Sequence, residues 1–383
     1  VRIAIKAKEI DLAHRPASNL VFLIDVSGSM ESPEKLPLVK EALRMLINHL
    51  DGRDRISIVV YAGASGLVIA PTRCSEKQVL IDAIGRLGAG GGTNGGAGIE
   101  LAYKTALEHF DPNGSNRVIL ATDGDFNLGV TSQGDLIRMV EERAKQGVFL
   151  TVLGFGMGNY KDSTLEKLAD KGNGNYAYVD TLREANKVLI EQLTGTLLTL
   201  AKDVKIQVEF NPTQVLAYRL IGYENRLLAD EDFNDDKKDA GEIGAGLSVT
   251  ALYEIAAGGS DVELSTVDPL KYQKPAEIAQ PTSAELLTVK LRYKEPAEDN
   301  SQLLEFPLED NNRQFDAASP DFRFAAAVAS FGMLLRDSPH KGTSSYRGVI
   351  SIARQTIGDD PGGYRTDFIR LAQTAEALQR VGR

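Results

Sequence analysis

From Asn19 to about residue 200, short apolar runs alternate with amphipathic stretches, a rhythm that predicts a parallel sheet flanked by helices. The strands read as LVFLID (20–25), ISIVVY (56–61), RVILATD (117–123), FLTVLGFG (149–156) and NYAYVD (175–180). These runs are apolar almost throughout, so they predict burial on both faces, as in a doubly wound, mostly parallel α/β sheet. Helices are predicted near 34–50, 76–86, 95–109, 132–146, 161–171 and 182–198. In the first of them Leu36, Val39, Leu43, Leu46, Ile47 and Leu50 share one face, which supplies a buried stripe.

Beyond residue 200 the period changes from 3.6 towards 2. Val204, Ile206, Val208 and Phe210 alternate with Lys205, Gln207 and Glu209, the pattern of a half-exposed antiparallel strand. Val249, Ala251, Tyr253 and Ile255 repeat it, as do Leu287, Val289, Leu291 and Tyr293. Helical spacing returns after Ser319, with Phe324, Val328, Phe331 and Leu335 on one predicted face, and two further helices around Val349 and Leu371. The expected organisation is an N-terminal strand or linker over 1–15, an α/β domain over 16–200, and a β-rich domain completed by C-terminal helices over 201–383.

Composition narrows the function. With 43% hydrophobic and 25% charged residues, the 383-residue chain reads as globular. Its net charge of −10 argues against a general nucleic-acid binder, which needs excess Lys and Arg to displace counterions. Most of the imbalance lies in residues 201–383, with 29 acidic against 21 basic residues. The single cysteine, Cys74, excludes an intrachain disulfide and any multi-cysteine metal site. No run approaches the roughly 20 apolar residues of a membrane helix. VRIAIKAKEI alternates like a strand and lacks an initiating Met, so the chain is expected to be a piece of a longer protein, with any anchor or export signal outside it.

The candidate chemistry is oxygen-rich. The first predicted strand ends in Asp25-Val26-Ser27-Gly28-Ser29-Met30, at the carboxyl edge where open α/β sheets bind ligands. Asp123 ends RVILATD and reaches the same edge, while Thr93 sits in the glycine run Gly90 to Gly96, whose missing Cβ atoms let backbone crowd a ligand. Hydroxyls and carboxylates without nitrogen or sulfur select a hard cation, Mg²⁺ above all, with Mn²⁺ or Ca²⁺ as alternates.

DVSGSM, the glycine-flanked threonine and ATDGD together resemble the metal-ion-dependent adhesion site of the von Willebrand factor type A domain, over about residues 16–200. The resemblance implies metal ligands at Asp25, Ser27, Ser29, Thr93 and Asp123, and a non-enzymatic module whose metal keeps an open position for an Asp or Glu of a partner protein. YRLIGYENR, DAGEIGAG, VTALYEI and DFRFAAAVASFGMLLR extend a likeness to the bacterial YfbK-like family over nearly the whole chain. That second resemblance implies an extracytoplasmic, lipid-anchored envelope protein.

Several plainer readings compete. Ser27 or Ser29 could cap a helix instead of binding metal. Gly90 to Gly95 matches G-x-G-x-x-G, but a predicted helix precedes it where a nucleotide site needs a strand. Asp123, Asp125 and Asn127 begin like an EF-hand loop, yet Leu128 and Gly134 stand where glycine and glutamate are required. The acidic tract Asp230, Glu231, Asp232, Asp235, Asp236 and Asp239 also lacks those offsets and reads as a solvated loop. His14, His49, His109 and His340 show no metalloprotease spacing, and no serine lies in a nucleophile elbow. A metal-dependent hydrolase and a scaffold with a purely structural metal are the alternatives to the binding module.

Overall fold

In the computed structural model the chain starts with strand β1 (Arg2–Lys6) and then enters β2 (Ser18–Asp25), whose eight residues are all buried. The structure describes residues 1–10, 15–92, 95–124, 133–156, 162–192, 195, 198–223, 227–238, 240–260, 283–296, 298 and 300–381. Around β2 lie β3 (Arg55–Tyr61), β4 (Ser65–Arg73), β5 (Ser115–Thr122), β6 (Val148–Phe155) and β7 (Tyr176–Val179), in the order β4-β3-β2-β5-β6-β7. Every neighbouring pair is parallel except β3 with β4. The sheet is therefore mixed but mostly parallel, with its one antiparallel strand at an edge.

Strand alternation splits the core into two layers. Leu20, Phe22 and Ile24 face α1 (Leu36–His49), α2 (Lys77–Gly85) and α6 (Leu182–Asn186), the last continued by a wider turn over Lys187–Glu191. Val21 and Leu23 face α3 (Gly95–Glu108), α4 (Gln133–Lys145) and α5 (Asp162–Lys171). Side chains on a strand point alternately to opposite faces, so one eight-residue run serves both layers. At Gly98 helix α3 comes so close to the sheet that a Cβ would lie 2.8 Å from Cβ of Tyr61. That approach brings the start of α3 down onto the strand ends.

The second half forms two antiparallel sheets. One has the order β10-β8-β12-β13, from β8 (Thr199–Phe210), β10 (Gly241–Gly244), β12 (Glu285–Lys294) and β13 (Gln302–Glu309). The other is β1-β11-β9, from β1, β9 (Val215–Ile221) and β11 (Ser248–Ala257). The N-terminal strand thus belongs to the second half, in register from Arg2 opposite Leu252 to Lys6 opposite Ser248. Phe210 stacks on Tyr218 at 4.1 Å between ring centres and joins the two sheets.

Three helices, α7 (Pro320–Leu335), α8 (Tyr346–Gln355) and α9 (Tyr364–Val381), share a small core around Ala327, Phe331, Val349, Ala353 and Ala372. Here the sequence pattern misleads in part, because Val328 and Leu335 are exposed, as are Leu371 and Leu378. Helix α7 is apolar around most of its circumference, so spacing does not single out the face used, which is Phe324, Ala327, Phe331 and Leu334. Helix α9 grips the α/β domain at α6 and the turn that follows it. Arg183 pairs with Asp367 and lies over the Tyr364 ring, whose hydroxyl donates to Glu191 Oε2 at 2.8 Å.

The acidic tract is a surface turn whose main chain is tied down by two lysines. Lys205 Nζ donates to the Asp232 and Asp235 carbonyls, and Lys294 Nζ to Asp203 Oδ2 at 2.7 Å and the Asp236 carbonyl at 2.6 Å. Both lysines are buried, at 3% and 7% exposure. The solvated loop expected from the sequence is found, with Asp230, Glu231 and Asp235 exposed, and ammonium groups from β8 and β12 cross-brace its main chain from beneath. Asp239 lies outside the described residues.

Candidate metal centre

Asp25 is the last residue of β2 and is fully buried. The chain then turns through a single helical turn, Gly28–Glu31, before α1. Ser27 occupies the capping position of that turn, yet its side chain makes no cap bond. Its Oγ lies 3.0 Å from Ser29 Oγ. Capping therefore does not account for the Ser27 hydroxyl, and α1 itself begins after Lys35 with no side-chain cap.

Asp25 is held on every side. Its Oδ1 accepts from the Ser27 amide at 2.9 Å, and its Oδ2 accepts from the Tyr61 hydroxyl at 3.0 Å and Thr122 Oγ1 at 3.3 Å. Burial pushes its carboxyl above the ordinary aspartate range; the Ser27 and Tyr61 hydrogen bonds oppose the shift, and the charge of Asp123 adds to it. Tyr61 is raised well above the usual phenol value by its own burial and by the neighbouring Asp25. A buried carboxylate shifted in this direction gains from a nearby positive charge.

Asp123 follows Thr122 at the end of β5 and is nearly buried, its side chain 5% exposed. Its Oδ2 accepts from Lys35 Nζ at 2.9 Å, and the same ammonium donates to the Ser29 carbonyl at 2.9 Å. The glycine run is stitched to the Asp25 turn by Gly90 N to the Val26 carbonyl at 2.7 Å and Gly28 N to the Gly91 carbonyl at 3.2 Å. Thr93, Asp125 and Asn127 lie outside the described residues. Of the five sequence candidates, Asp25, Ser27, Ser29 and Asp123 gather at one edge of the sheet.

These donors suit a hard divalent cation. Magnesium holds oxygens at about 2.0–2.1 Å in octahedral geometry, which sets adjacent ligands about 3 Å apart. The serine hydroxyls are at that spacing. Among the described residues no group of three or more His, Cys, Asp or Glu side chains is placed to hold a metal ion. Tyr61, Thr122 and Lys35 were missed by sequence reasoning. Strand register could have found the first, because Asp25 is directly opposite Tyr61 on β3.

Residues 19–192 match the von Willebrand factor type A domain, and this sheet and edge define the chain as a protein of that class, one whose domains generally serve metal-dependent protein interaction without catalysis. Residues 195–378 match the C-terminal domain of the uncharacterized protein YfbK, so the chain pairs the two domains. It is 44% identical to YfbK of Escherichia coli (strain K12) over 382 residues, all of this chain and 65% of that protein. It thus spans somewhat under two thirds of that relative's length. Inter-alpha-trypsin inhibitor heavy chain H4 of Homo sapiens is 31% identical over 165 residues, 41% of this chain and 17% of that one. A solved structure, von Willebrand factor type A from Catenulispora acidiphila, shares the fold over 97% of this chain and 85% of that chain, with a TM-score of 0.51 at 18% identity.

Proposed function

We propose that this chain is a divalent-metal-dependent protein-binding module. Asp25, Ser27, Ser29, Thr93 and Asp123 hold Mg²⁺, and an Asp or Glu of a partner protein completes the coordination. The observation that carries this reading is the meeting of two buried or nearly buried carboxylates with a pair of hydroxyls 3.0 Å apart at the carboxyl edge.

The charge logic follows from the donors. A cation held largely by neutral hydroxyls remains electrophilic, whereas a cage of carboxylates would quench it. Buried Asp25 supplies fixed negative charge from below, and its bonds to Ser27, Tyr61 and Thr122 orient it. The bound metal supplies an attraction for a carboxylate, strengthened where a partner surface excludes water.

Envelope location is part of the same proposal and rests on the family resemblance. Among the described residues no helix is long and apolar enough to cross a membrane. The test is partner capture from the source cell envelope in Mg²⁺ and in EDTA, alongside Asp25→Ala and Asp123→Ala. Metal-dependent capture lost in both variants, with melting curves kept, is the expected result. Capture that persists in excess chelator overturns the reading.

A further inference from the structure

One cation at this edge is not part of the proposed ligand set. Lys35 Nζ bridges Asp123 Oδ2 and the Ser29 carbonyl. It stands immediately before α1, where exposed amides and the helix dipole favour Ser, Thr, Asp or Asn and disfavour a positive charge. The stem of Lys35 runs past Gly156, whose φ of +83° suits glycine and whose added Cβ would fall 2.8 Å from Cγ of Lys35. Tyr178 Oη donates to the Gly156 carbonyl at 2.6 Å. The side chain is thus guided to the carboxylate, and its 16% exposure leaves it a way out.

We propose that Lys35 is a built-in competitor of the divalent cation, sharing the Asp123 carboxylate with it and making metal uptake depend on an anionic ligand. The inference rests on the metal-binding reading of the site. Asp25, Asp123 and Lys35 together leave one net negative formal charge. A divalent ion turns that into one net positive charge, and a partner carboxylate brings the site to neutrality. Without Lys35, the metal and two aspartates are already neutral, and an incoming carboxylate meets a weaker attraction, that of the metal alone. Metal and carboxylate therefore tighten each other's binding, and the coupling is reciprocal.

The experiment is calorimetric titration of Mn²⁺ alone, and of Mn²⁺ with acetate as the anionic probe. It compares the whole chain with Lys35→Met, Lys35→Gln, Lys35→Arg and Asp25→Ala, each checked by its melting curve. Both neutral variants should bind Mn²⁺ about tenfold more tightly than wild type, while Lys35→Arg stays within about threefold of it. Acetate should tighten Mn²⁺ in wild type and do so less in Lys35→Met. Neutral variants no tighter than wild type, an arginine variant as tight as the methionine one, or an equal acetate effect overturn the proposal. Wild type taking up no more Mn²⁺ than Asp25→Ala is a different failure, because it removes the metal-binding reading itself.

Discussion

Two regions of this molecule set lysine ammonium groups among acidic residues, and they do so to opposite ends. In the second half, Lys205 and Lys294 rise from sheet strands into the turn over residues 230–238, where they are buried and bonded mostly to main-chain carbonyls. At the edge of the α/β sheet, Lys35 leaves a loop, stays partly exposed and bonds a carboxylate beside two hydroxyls. The acidic turn has the richer composition, yet its lysines already satisfy the oxygens it turns inward. The sheet edge has only two carboxylates and is the place we propose for a metal. Acidity in a sequence therefore says less about cation binding than whether buried carboxylates and hydroxyls converge on one point.

The sharpest way to break this contrast is Lys294→Met, which leaves Asp203 and the Asp236 carbonyl without their ammonium. Removing one member of a mostly buried pair costs about 3–5 kcal/mol, so urea unfolding should show a loss of that size. Mn²⁺ uptake at the sheet edge should not change. A loss below about 1 kcal/mol would place this lysine with surface pairs and dissolve the contrast.

Next in size is Asp123→Ala, expected to weaken Mn²⁺ about a hundredfold, or roughly 2.7 kcal/mol, with the melting temperature nearly kept. Calorimetry reads the first quantity and circular dichroism the second. Unchanged Mn²⁺ affinity would remove Asp123 from the site.

Acid provides a graded version. The folded-state value of Asp25 is raised by burial, so protons compete with metal from a higher pH than at an ordinary aspartate. Titrations at descending pH should show affinity falling before the usual carboxylate range is reached. In chelator the sign reverses: the favourable contribution of Asp25 to folding is complete below its unfolded value and is lost as pH rises through the folded one. Asp25→Asn should consequently melt higher than wild type in EDTA at neutral pH, and a lower melting temperature would contradict this.

The smallest effect concerns Cys74, fully buried, its thiol pushed up to about 12 chiefly by burial. A disulfide reagent should leave it untouched in the native protein and label it only in denaturant. Rapid native labelling would mean that the layer under α1 and α2 opens more readily than its packing implies.

Much of the α/β domain was legible because buried parallel strands have no polar face to confuse the pattern. Strands β2, β3, β5, β6 and β7 all fall on apolar runs, and the helices between them begin and end within a few residues of their expected positions. The strands that escaped notice lie at edges or are short. Strand β4 carries Gly66 and Pro71, and β13 carries Pro307 and is exposed along its whole length, so neither shows a clean alternation. In the site, Asp25, Ser27 and Ser29 share one contiguous motif, and Asp123 ends an obvious strand. Tyr61, Thr122 and Lys35 depend on which strand ends are neighbours and how a long side chain is routed, which local spacing does not encode. The pairing of β1 with β11 lies still further out of reach, because it joins residues about 250 positions apart.

That pairing has a mechanical consequence. The chain enters the α/β domain after a strand anchored in the β-rich half, and the next strand after the domain is β8 of the same half. Beside its contact through α6, the domain has two chain connections instead of one, like a basket on a two-point handle. A tug on its outer rim is shared between both attachments, and one severed connection would leave the two halves still joined by the other.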